Sequence, residues 1–276
     1  GVLVHLEMLR EKYIKNGYSP TTASAKICQD IILYKIAKST LNRNVTIKGG
    51  VIMYNLSNDK RRATKDLDLD FIRYSLDDES IKGFINKLND MDDNITIYIN
   101  DSIKKLHHQD YDGKRVEVSL VDEFGYEITS KLDIGIHKNF DIMQDEYCFN
   151  LDTISESVTL IINSKEQMIC EKLKSLLKLG IRSTRYKDIF DIYYLINYTL
   201  IDKKKLLDVI NVLILNDINM RQIEVMDIVN DLKIILTDEN YIKKLSIAKN
   251  NWLAMPIKEV ILNILDYFES LLLICV

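Results

Sequence analysis

The stretch over residues 47–71, I-K-G-G-V-I-M-Y-N-L-S-N-D-K-R-R-A-T-K-D-L-D-L-D-F, constrains this chain more than any other. It closes on aspartates at every second position, Asp66, Asp68 and Asp70, alternating with Leu67, Leu69 and Phe71. A period of two is the period of a strand, in which alternate residues share a face about 6.6 Å apart. The carboxylates therefore point one way and the apolar side chains the other. At an effective dielectric near 20, neighbouring charges at that spacing repel by about 2.5 kcal/mol per pair. A cation, or open water, has to lie over that face.

Upstream of the aspartates, Val45, Thr46, Ile47 and Lys48 read as a buried strand, Gly49-Gly50 as a turn, and residues 51–56 as the first turns of a helix. Such a turn lets backbone N–H groups approach a phosphate, and the helix N-terminus adds partial positive charge. Alone, a diglycine equally marks a tight turn that needs positive φ. Beside the aspartates it becomes half of a nucleotide site, a phosphate cradle next to hard oxygen ligands for Mg2+. For the aspartates the plain alternative is a solvated strand edge kept acidic against aggregation.

The rest of the chain reads as α+β followed by helices. Two N-terminal helices are expected, over residues 2–16 and 21–40, then the strand, turn and helix just described, and a polar basic loop at residues 57–62. The acidic strand is expected over 63–72, a helix over 80–88, and strands over 95–102, 115–121 and 127–136, the last two joined by a turn at Gly125. Together these predict a mixed or antiparallel sheet of about five strands with helices on one side. His107-His108 is expected in a polar connection. Of the nine glycines only Gly180 lies beyond residue 150, and from there helical patterns follow at 164–179, 185–198, 203–215, 224–236, 239–251 and 257–273. Two domains are expected, residues 1–150 and 151–276, the second all-helical with Trp252, Tyr193, Tyr194 and Tyr198 in its core.

Charge and cysteine usage narrow the class. A net charge of −4 argues against a uniformly basic nucleic-acid surface, though a local patch still binds phosphate. The four cysteines, Cys28, Cys148, Cys170 and Cys275, include no C-x-x-C pair and read as reduced, mostly buried thiols. No apolar run is long enough to span a membrane, and the opening G-V-L-V-H-L-E-M-L-R lacks the basic and small-residue features of a secretory leader. A cytoplasmic location is expected, with a docked helix at the C-terminus.

Four motifs in order carry a resemblance to a known family. They are Gly49-Gly50 followed by R-x-T-x-D-L-D at residues 62–68, L-D-I-G at 132–135, E-K-L-K-S-L at 171–176, and R-Y-K-D-I-F-D-I-Y at 185–193. Over residues 47–195 the chain resembles the AbiEii-type toxin nucleotidyltransferases, polymerase-β-like enzymes of bacterial toxin–antitoxin and phage-defence systems. It departs from the family at Val51, Ile52 and Met53, which stand where members often carry a small residue and then leucine.

The resemblance implies a polymerase-β-like nucleotidyltransferase domain and an all-α domain that completes the active-site cleft. It further implies that Asp66, Asp68 and Asp133 hold divalent metal, Mg2+ or Mn2+, with Asp133 otherwise readable as a salt-bridge partner of Lys131 or His137. Lys172 would neutralise the triphosphate, and Asp188 would face the cleft and orient Lys172 or the base. Nucleotide contacts fall to Lys48, Gly49, Gly50, Arg62, Thr64, Lys172, Arg185, Lys187 and Asp191. Asp70 is expected outside the metal pair, or paired with an arginine such as Arg73. The implied activity is transfer of an NMP from an NTP to RNA, at the 3′ end of tRNA, by a toxin with a cognate antitoxin; the basic Lys60-Arg61-Arg62 and Lys65 would suit such a partner. A small-molecule nucleotidyltransferase and a non-catalytic binding module are the alternatives.

Overall fold

In a computed structural model, residues 3–108 and 111–275 are described. Val2, where the first expected helix begins, lies outside them. The chain divides into two compact units, Gly1–Asn163 and Ser164–Val276.

The first unit opens with helices α1 (Leu6–Lys15) and α2 (Pro20–Lys38). Ser19 caps α2 by accepting from Thr22 N–H, and Pro20 stands in its first turn, where a missing N–H costs nothing. Strand β1 (Val45–Lys48) leads through Gly49 into α3 (Gly50–Ser57), and a short 3-10 turn (Lys60–Arg62) precedes β2 (Asp66–Phe71). Helix α4 (Asp78–Asn89) and strands β3 (Thr96–His108), β4 (Tyr111–Val121), β5 (Glu127–Ile136), β6 (Asp145–Leu151) and β7 (Glu156–Ile162) complete the unit.

The strands form one seven-stranded mixed sheet in the order β3-β4-β5-β2-β1-β7-β6. Pairs β2/β5 and β1/β7 are parallel and the others antiparallel. The acidic strand β2 thus sits in the middle of the sheet. Its apolar residues Leu67, Leu69 and Phe71 are fully buried, and the Phe71 ring meets Phe84 of α4 at 5.1 Å between centroids. Helix α2 packs on β5 and β7, so apolar burial against helices fixes which way β2 turns its aspartates.

Three expectations change. The sheet has seven strands rather than about five, because β6 and β7 pair as a hairpin across the composition shift near residue 150. Residue 150 itself lies inside β6, and the units divide at 163/164. His107 and His108 end β3 in register with Asp112 and Tyr111, instead of lying in a connection.

In the second unit the described elements are helices: α5 (Lys165–Leu179), α6 (Lys187–Tyr198), α7 (Lys203–Ile210), a π-helical turn (Asn211–Leu215), α8 (Val225–Leu236), α9 (Glu239–Leu245) and α10 (Ile257–Leu271). Trp252 and Tyr193 are buried as expected, whereas Tyr198 is exposed. Cys28 and Cys170 are buried; Cys148 and Cys275 are exposed, so the thiols are half buried rather than mostly so. Among the described residues no helix is long and apolar enough to cross a membrane.

Candidate active site

Register across the central strands assembles one row of charge. Lys48 of β1 stands opposite Asp68 of β2, Asp68 opposite Asp133 of β5, and Asp133 opposite Arg115 of β4. Laterally paired residues share a face of the sheet, so two carboxylates stand side by side with a cation outside each. Asp66, two residues before Asp68, lies on the same face and opposite Lys131. Asp66 and Asp68 are half-buried, in contrast to the buried Leu67 between them.

The diglycine closes on this row. Gly49 has φ +76°, a left-handed conformation that favours glycine, and a Cβ there would collide with the Asp68 carboxylate. At Gly50 a Cβ would meet Thr64 Cβ at 2.9 Å, Thr64 Oγ1 at 3.0 Å and Arg62 Nη1 at 3.1 Å. The N-terminus of α3 is therefore bordered by a hydroxyl, a buried guanidinium and an aspartate. Bare backbone N–H groups of a helix start, with an arginine beside them, suit a phosphate.

The other loop cations are held within the protein. Arg61 pairs with Asp59 at 2.6 Å, and Lys60 Nζ donates to the Asn16 carbonyl and lies over the Tyr18 ring. The exposed cations near the carboxylates are Lys65 and Lys131, whose charges both act on Asp66. Even so, Asp66 titrates above the ordinary carboxylate range, first because it is buried and then because Asp133 is close.

Two ion pairs differ from the salt-bridge alternatives the sequence offered. Asp70 is buried and pairs with Lys48, Nζ to Oδ1 at 2.9 Å, while Arg73 lies over the Phe140 ring at 4.5 Å. Lys48 thus belongs to Asp70 and to the edge of the carboxylate row. Asp133 pairs neither with Lys131 nor with His137 in an ion pair but with Arg115, Nε to Oδ1 at 2.7 Å and Nη2 to Oδ2 at 2.8 Å. Nη2 also reaches Asp66 Oδ2 at 3.5 Å. Arg115 was absent from the sequence-derived site; only the β4/β5 register could have drawn it in.

Asp66, Asp68 and Asp133 supply the hard oxygen donors a divalent cation takes. Among the described residues no group of three or more His, Cys, Asp or Glu is gathered to hold a metal ion. Arg115 instead takes both oxygens of Asp133. The donors fit such a cation in kind.

The second unit brings its own motif residues together. Lys172 of α5 is buried, with Nζ 3.1 Å from Asp188 Oδ1 and 3.0 Å from Asp191 Oδ2, both on α6. Arg185 Nε reaches the other Asp188 oxygen at 2.7 Å, and the Trp252 indole donates to Asp191 Oδ1 at 3.0 Å. The ammonium is thus balanced by two aspartates within its own unit, a different condition from a lysine reserved for triphosphate. Arg185 precedes α6, whose first residue is Lys187.

A glycine-lined helix start beside a strand of alternating aspartates is the equipment of a nucleotidyl transferase. Residues 31–255 match the family model of the nucleotidyl transferase AbiEii toxin of type IV toxin–antitoxin systems, and the chain belongs to that family. The resemblance carried by the four motifs is thereby borne out. Membership makes the protein a nucleotidyl transferase and brings with it an NTP substrate and an antitoxin partner. No curated protein matches the chain.

Proposed function

We propose that this protein is a polymerase-β-like toxin that transfers an NMP from an NTP to RNA, at the 3′ end of tRNA, with the help of Mg2+ or Mn2+. The single observation that carries the reading is Asp68 and Asp133 side by side in register, with Asp66 on the same face and the Gly49-Gly50 turn against Asp68.

In this reading the N–H groups at Gly49 and Gly50, Arg62 and the Thr64 hydroxyl hold the phosphates. The acceptor hydroxyl attacks the α-phosphorus, the bond from that phosphorus to the bridging oxygen breaks, and pyrophosphate leaves. Asp133 takes the hydroxyl proton. Divalent metal held by Asp66, Asp68 and Asp133 would neutralise charge on the phosphates and leaving group. Within the helical unit, Lys172, Asp188, Asp191 and Arg185, with Lys187 at the start of α6, form a charged cluster of their own. Exposed Lys65 and Lys131 beside Asp66 support a polyanionic acceptor.

Incubation with total RNA and each α-labelled NTP in turn tests this. Label is expected in a tRNA-sized band with the wild-type protein and to fall at least about a hundredfold in Asp68→Ala, the scale on which lost transition-state contacts read. Label on a small molecule, or RNA labelling that survives Asp68→Ala, would contradict the reading.

A further inference from the structure

The inference concerns Arg115 and rests on the divalent-cation reading of the carboxylate row. Arg115 comes from β4, one strand beyond Asp133, and the in-register pairing makes the two side chains lateral neighbours. Its fork grips both Asp133 oxygens, at 2.7 and 2.8 Å, and its outer nitrogen leans on Asp66 at 3.5 Å. Two of the three carboxylates assigned to the cation are therefore already bound to a positive group.

That group does not lose its charge near neutral pH, so the charge leaves the site only if the side chain moves. A divalent cation seated on Asp133 and Asp66 would lie against the guanidinium and be repelled by it. The Arg115 side chain is 31 % exposed, against 15 % for Asp133, and has a path to water. Along the same row, exposed Lys104 stands opposite Arg115 on β3, so a side chain displaced outward along the row would move toward another cation. Its return to Asp133 is thus favoured whenever the cation leaves.

We propose that Arg115 is the resident counter-ion of the carboxylate row, neutralising Asp133 and Asp66 while no divalent cation is bound and displaced when one binds. Cation affinity is then set by competition with Arg115, and Arg115 is a positioning residue that holds the Asp133 carboxylate, with a longer contact to Asp66, in the metal-free protein. Its partners differ from that of Lys48, whose ammonium meets Asp70 at 2.9 Å.

The test is a Mn2+ titration of the full chain, without nucleotide, by calorimetry and by thermal denaturation. Arg115→Gln removes the charge, and Arg115→Lys keeps it without the two-pronged grip. Arg115→Gln is expected to melt below wild type without metal, to bind Mn2+ about tenfold more tightly or better, and to gain more in Tm from Mn2+. Arg115→Lys is expected to shift affinity in the same direction by a smaller factor, and serves alone if Arg115→Gln does not fold. Wild-type binding with unchanged or weaker binding in both variants overturns the proposal for Arg115 and leaves the cation reading intact. Binding by neither wild type nor variant overturns both.

Discussion

At Gly49 two independent demands meet: φ of +76°, and a Cβ position already taken by the Asp68 carboxylate. Gly49→Ala therefore costs about 1–3 kcal/mol of backbone strain and pushes Asp68 out of the row. The expected outcome is a lower midpoint in denaturant melts together with loss of nucleotidyl transfer. A stable, active Gly49→Ala protein would show that the turn is not tied to the carboxylate. This much was legible in the sequence, since a diglycine and period-two aspartates are local signals. Arg115 was not, because its meeting with Asp133 depends on strand register set by residues 18 apart. Of the two expectations for Asp70, pairing with an arginine gives way for a related reason: its partner Lys48 comes from the neighbouring strand, whereas Arg73 is only near in sequence.

Between elements, α5 and α6 are joined by Lys172 held between Asp188 and Asp191. Asp191 is fully buried, so Lys172→Met leaves carboxylates without their ammonium and is expected to cost about 3–5 kcal/mol, read by urea denaturation. A loss below about 1 kcal/mol would mean that the cluster is solvated. A second tie runs from Lys174 of α5 to Asp217 at 2.6 Å, and this hydrogen bond holds the Asp217 carboxyl below its usual range. A depressed carboxylate stabilises the fold above its unfolded pKa, and that stability is lost as pH falls through the folded pKa. Asp217→Asn should therefore melt below wild type at pH 7, and the gap should close in melts taken progressively below about pH 4. A gap that persists in acid would contradict the assignment.

The helices of the second half announced themselves by long periodic runs with few breaks. The β6–β7 hairpin was passed over although Tyr147, Phe149 and Leu151, then Val158, Leu160 and Ile162, alternate as strands do. The loss of glycine near residue 150 outweighed that alternation. The polar composition around His107 and His108 reads as a connection, yet β3 pairs there backbone to backbone with β4.

For the whole molecule, membership in the AbiEii nucleotidyl transferase family and the carboxylate row of the first unit point to the same chemistry. The motifs that signalled the family fall in both units, the aspartates and diglycine before residue 163 and the Lys172 cluster after it. That division explains why the motif order was readable before the fold was. Spacing along the chain identifies a family, while partner choice within a unit depends on packing that spacing does not encode.

The central claim is that the row Asp66, Asp68 and Asp133 serves transfer at the α-phosphorus. Parallel reactions with α-labelled and γ-labelled NTP, total RNA and Mg2+ test it most directly, with Asp133→Asn as the comparison. α-Label is expected in the acceptor and γ-label in pyrophosphate, and neither with Asp133→Asn or after removal of the divalent cation by chelation. Transfer of γ-label to the acceptor, or α-label transfer undiminished in Asp133→Asn, would contradict it.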